Sequence, residues 1–119
     1  MSVKKKNRRK ITVNDRLFIW YIAEANSTLD QTLFVVSEDK KFIVHYILKQ
    51  TSNEPYFVEV VGKEIGGLVR EKQTKVNIIS PTWEIENTIT PKSVRNLITW
   101  CLSTTPKQIH IRPEIKKSI

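Results

Sequence analysis

The residues in this chain that could do chemistry are few and far apart. Its two histidines are His45 and His110, and its single cysteine is Cys101. A Cys/His couple would supply a nucleophile and its base, and a larger Cys/His set would hold a metal ion. The spacing fits neither. The chain has no Cys-x-x-Cys and no His-x-x-x-His pair. Cys101 also falls on the apolar stripe of an amphipathic segment, where a cysteine behaves as a small hydrophobe. His45 and His110 therefore read as core or surface histidines. Among the acids, Glu84 and Glu86 flank Ile85 and share a face if that stretch is extended. Acid/base work would need burial to push their pKa values apart, whereas their polar surroundings predict solvation. Glu59 sits between Val58 and Val60. On an open face it carries no role; on a buried face it requires a partner such as His45 or an arginine. Gly66-Gly67 has neither the six-residue frame nor the trailing Lys-Ser/Thr of a phosphate loop, and predicts a bend. These readings predict no catalytic residue, no metal ligand, no cofactor and no enzyme.

Binding chemistry is better represented. Lys4, Lys5, Lys6, Arg8, Arg9 and Lys10 fall in seven residues with no acid among them. The formal net charge is +8, yet positions 11–119 hold 14 basic against 12 acidic residues, a net of +2. Any claim of nucleic-acid binding must therefore rest on this arm. It can track phosphates in a salt-dependent way, or it can simply solubilise the first strand and guard its edge. A second basic group, Arg70, Lys72 and Lys75, precedes Trp83. That tryptophan either plugs the open end of the core or anchors a contact. Lys92 and Arg95 lie on the polar side of the amphipathic segment.

These side chains must be positioned by a core, and 119 residues are enough for one domain without disulfides. One cysteine cannot form an internal disulfide. The start of the chain lacks the apolar run of a signal peptide, and the longest apolar run, 17–23, is too short to span a bilayer. The expected location is the cytoplasm, with no membrane partner.

Positions 1–9 predict a disordered basic arm and 10–112 a single domain, with a flexible basic tail over 113–119. Ile11 to Val13 and Arg16 to Ala23 predict a hairpin turned at Asn14-Asp15. The second of these strands is apolar on both faces, so a central place is expected, with its outer side partly covered. Thr32 to Ser37 and Lys41 to Leu48 predict a second hairpin. Tyr56 to Val61 and Val76 to Ile79 are further strands, and Lys107 to Arg112 a short edge strand. Over 91–103, Thr90 and Pro91 give a helix start. Val94, Leu97, Ile98, Cys101 and Leu102 form one stripe, with Trp100 at its margin. The fold class is α+β: an antiparallel meander of five to seven strands with one C-terminal helix packed on one face.

The frame KITVNDRLFIWYI, with ITPKSVRNLI at the helix start and a tryptophan shortly before it, resembles a set of small bacterial proteins of unknown function. The likeness spans most of 9–103. It implies a shared scaffold and brings no activity, cofactor or catalytic residue. The basic arm and the tail from Lys107 fall outside it. Together these features predict a non-enzymatic binding module whose partner is another protein or a second copy; an immunity or accessory role in a bacterium is compatible. The alternative is nucleic-acid binding through the Lys4–Lys10 arm and the Arg70–Lys75 loop.

Overall fold

A computed structural model describes residues 8–24, 31–48, 56–67, 75–86 and 88–109. Six strands and one helix follow in chain order: β1 (Arg9–Val13), β2 (Arg16–Glu24), β3 (Gln31–Ser37), β4 (Ile43–Ile47), β5 (Phe57–Val60), β6 (Val76–Ile79) and α1 (Pro91–Leu102). The strands lie side by side in that same order, each antiparallel to the next. The architecture is the α+β meander with a C-terminal helix that the residue pattern predicts.

Turn chemistry sets the first two hairpins. Asn14 and Asp15 both take positive φ, 53° and 65°. A two-residue turn of that hand matches the twist of its flanking strands. Between β3 and β4, Ser37 Oγ donates to Asp39 Oδ1 at 2.6 Å and accepts from the Phe42 amide at 3.0 Å. Asp39 Oδ1 also accepts from the Lys41 amide at 3.1 Å. Lys41 is thereby spent on the turn, which is why β4 is shorter than the 41–48 run expected for it. At the other end β1 is longer than expected. Arg9 pairs with Trp20 and its guanidinium lies 5.7 Å from that ring. Arg9 thus belongs to the strand, not to the arm. Of the rest of the arm, Arg8 is described and 1–7 lie outside the described residues. The edge strand expected over 107–112 reduces, among the described residues, to one bridge between Ile78 and Ile109.

Strand alternation splits the sheet into two faces. One face carries Ile11, Val13, Phe18, Trp20, Leu33, Val35, Val44, Tyr46, Val58, Val60 and Ile78, all buried. α1 supplies Val94, Leu97, Ile98 and Cys101 to the same core. Leu102 and Trp100 are half-buried at its margin. The helix starts with a reciprocal cap: Thr90 Oγ1 accepts from the Ser93 amide at 3.2 Å, and Ser93 Oγ accepts from the Thr90 amide at 3.1 Å. Its last turn is closed locally, where the Ser103 amide and hydroxyl donate to the Trp100 carbonyl at 3.2 and 2.8 Å, and also from outside. The Gly66 amide donates to the Cys101 carbonyl at 2.8 Å, and Lys107 Nζ donates to the Ser103 carbonyl at 3.1 Å. Gly67 takes φ 73°, and a Cβ there would overlap the Thr105 carbonyl. The glycine pair is thus the bend that lets the 62–67 loop meet the helix end.

Candidate functional site

The second face of the sheet is also apolar. Leu17, Ile19, Tyr21, Phe34, Val36, Ile43, Ile47, Phe57 and Ile79 alternate with the core residues of their strands. All are half-buried, and none belongs to the core cluster. Among the described residues no helix packs on them. The face results from the same β-branched and aromatic composition that makes these segments strands: with both alternate sets apolar, one set meets α1 and the other does not. The partial cover expected over β2 is seen in the half-burial of Leu17, Ile19 and Tyr21 and in Thr32, which pairs with Ala23 on this face and is 3% exposed.

A row of paired residues crosses this face. Tyr21 pairs with Phe34, Phe34 with His45, His45 with Glu59 and Glu59 with Asn77. The Tyr21 and Phe34 rings stack at 5.0 Å between centroids and 12° between planes. Phe34 meets the His45 ring edge-on at 4.6 Å. His45 Nδ1 lies 3.1 Å from Glu59 Oε1, and Lys75 Nζ lies 3.5 Å from Glu59 Oε2. At the β1 end the Arg8 guanidinium sits over the Tyr21 ring at 5.0 Å. Lys10, two residues on, is exposed on the same face. Thr32, Phe34, His45, Ile47, Phe57, Glu59 and Asn77 enclose a shallow depression of about 190 Å³. That is smaller than the few hundred Å³ typical of small-molecule sites.

Of the residues singled out from the sequence, Arg8, Lys10 and Lys75 lie on this face, the first two at its β1 edge and Lys75 at its β6 edge. Arg9 lies on the opposite side over Trp20. Lys92 and Arg95 are exposed on α1, and Arg95 Nη1 reaches the Thr12 carbonyl at the sheet edge at 3.4 Å. Lys4, Lys5, Lys6, Arg70 and Lys72 lie outside the described residues, as does His110. Trp83 is a correction to the contact set: only 9% of it is exposed. It packs at 5.6 Å from Trp100 and closes the core, and its buried Nε1 has no hydrogen-bond partner. Its backbone amide donates to the Tyr46 hydroxyl at 3.1 Å, and that hydroxyl donates to Glu84 Oε1 at 2.7 Å. Glu84 is therefore engaged by the core at one oxygen.

Tyr21, Phe34, Phe57 and Asn77 were not singled out from sequence. The available signal was that β2 and β4 are apolar at odd and even positions alike. Glu59 falls between the two environments considered for it: its side chain is 31% exposed and its carboxylate meets both His45 and Lys75.

Cys101 is buried, and burial pushes its thiol up to about 12, so it remains protonated and unreactive. Among the described residues no group of three or more His, Cys, Asp or Glu is arranged to hold a metal ion. No helix among them is long and apolar enough to cross a membrane. No family model, curated protein or solved structure matches the chain. The features that remain for a function are an apolar face, its aromatic row and its basic end.

Proposed function

We propose that the chain is a non-enzymatic protein-binding module whose working surface is the face of its sheet on which no helix packs among the described residues, the helix-free face. The observation that carries this reading is the contiguous set Leu17, Ile19, Tyr21, Phe34, Val36 and Ile43, half-buried and outside the core cluster. Contiguous apolar patches on a soluble domain mark interaction sites. Aromatic anchors inside a polar or charged rim are the usual make-up of such surfaces. An accessory or immunity role in a bacterial cytoplasm is compatible with such a surface, and a lone buried thiol suits a reducing compartment. The test is affinity capture from the organism that encodes the chain, with wild type and Phe34→Glu compared at equal thermal stability. A specific protein should copurify with wild type and be lost with Phe34→Glu. An unchanged set of captured proteins overturns the reading.

Nucleic-acid binding is the second reading, favoured by one observation: Arg8 and Lys10 stand beside the Tyr21–Phe34 stack. Aromatic platforms with a basic flank take single strands. Fluorescence anisotropy with a random-sequence oligonucleotide at two salt concentrations tests it, with and without residues 1–10. No binding at low salt, or binding indifferent to the arm, eliminates it.

A further inference from the structure

We infer that the occupant of the helix-free face is an acidic amphipathic helix, with apolar side chains on the aliphatic end of the sheet and carboxylates against Arg8 and Lys10. This rests on the protein-binding reading and names the partner's chemistry. The charge on the face is separated by position. Arg8 and Lys10 are exposed at the β1 end and, among the described residues, pair with no acid. At the far end Lys75 is 66% exposed and, with His45, meets the Glu59 carboxylate, while Asp15, Glu38 and Asp39 gather around Leu17 at the turn end of β2. A partner that covers the apolar residues must come close to Arg8 and Lys10, and carboxylates at that edge gain from the approach.

The shape of the face selects a helix. Six strands spaced about 4.8 Å apart give a sheet about 24 Å wide, room for one or two helices of roughly 10–12 Å diameter. This chain already covers the opposite face with one helix, and a sheet apolar on both faces reaches full burial as a helix–sheet–helix sandwich. The depression of about 190 Å³ between Phe34, His45, Phe57 and Glu59 receives one large anchor side chain. A nucleic acid fits less well, because Leu17, Ile19, Val36 and Ile43 offer no ring for a base to stack on.

The experiment uses the full-length protein and three synthetic 18-residue amphipathic peptides. They share one leucine stripe and differ only in carrying Glu, Gln or Lys at the flanking positions. Binding is read by anisotropy and by amide chemical shifts. At about 50 mM salt the Glu peptide should bind at least tenfold tighter than the Gln peptide and lose that advantage as salt rises through the screening range. The perturbed amides should lie in β1–β4. The double variant Arg8→Glu, Lys10→Glu should reverse the order and favour the Lys peptide. Equal binding of the Glu and Gln peptides, an unchanged order in the double variant, or shifts confined to α1 overturns the inference. So does a twelve-residue oligothymidine that displaces the Glu peptide, or sedimentation showing dimers closed through Phe34. The capture experiment with Phe34→Glu is independent of these outcomes. A partner lost there while the peptides show no charge preference keeps the binding face and removes only the acidic helix.

Discussion

Tyr46 ties the loop before the helix to the sheet through one hydroxyl. The residue is 0% exposed, it takes the Trp83 amide at 3.1 Å and it gives its proton to Glu84 at 2.7 Å. Burial, then the Glu84 hydrogen bond, raises its pKa above the ordinary tyrosine value. Tyr46→Phe keeps the ring and strands the Trp83 N–H in the interior. A buried donor left without a partner costs about 1–3 kcal/mol, seen as a lower denaturant midpoint at unchanged slope. Asp39 provides a pH test. The Ser37 hydroxyl, then the Lys41 amide and Arg16, hold its carboxyl down at about 2. A carboxylate depressed below its ordinary value of about 3.9 stabilises the fold fully above that value. The contribution is lost as pH falls towards the folded value. Between pH 5 and pH 2.5, wild type should lose more melting temperature than Asp39→Asn; equal losses would mean that the turn does not depend on the charge. At this scale the sequence is readable where the cause is local. Cys101 shows its burial through its place on the stripe, and Asn14-Asp15 shows its turn. Glu59 does not show its environment, because pairing with His45 depends on the register of β5 against β4 across a connection with no turn signature.

The helix is the most legible element, since start, stripe and stop all lie within it. Its closure is not legible. The Gly66 amide on the Cys101 carbonyl and Lys107 on the Ser103 carbonyl come from segments before and after it. The strand ends show the same limit. Arg16 Nη2 bonds Glu64 Oε1 at 2.5 Å and Asp39 Oδ1 at 3.3 Å, and its guanidinium lies 5.3 Å from the Phe18 ring. That node joins the β1–β2 turn, the β3–β4 turn and the loop after β5, and no periodicity announces it. The meander itself is legible because successive apolar runs with short polar turns leave antiparallel neighbours as the simplest path. Leu97 tests how firmly α1 is seated. It is fully buried at the centre of the stripe, so Leu97→Ala should cost about 2–5 kcal/mol in a denaturant titration. A loss under about 1 kcal/mol would mean that α1 lies on the sheet without sealing it.

On the scale of the whole molecule, the two apolar faces of one sheet have different duties, and composition cannot tell them apart. Trp20, Val35 and Val44 form one cross-strand line, while Ile19, Val36 and Ile43 form the next. Both lines are large and apolar, so either could have met the helix. The choice follows from the single connection out of β6, which places α1 with Trp83 and Tyr46 on one side. The sequence therefore suggested surfaces on charged segments, whereas the surface with the most unspent burial energy lies on residues that look like core. This difference can be measured. Threonine keeps the β-branch of valine and isoleucine, so strand preference changes little on substitution. On the helix-free line, Ile19→Thr, Val36→Thr and Ile43→Thr each behave as surface changes, roughly 0.5 kcal/mol apiece. On the core line, Val35→Thr alone buries a hydroxyl with no arranged partner, at about 1–3 kcal/mol. The triple variant, at roughly 1.5 kcal/mol in all, should thus unfold at a denaturant midpoint close to that of the single core variant, and should lose the captured partner. A triple variant far less stable than Val35→Thr would mean that Ile19, Val36 and Ile43 are already sealed within the folded chain, and the proposed binding face would then have no apolar surface to offer.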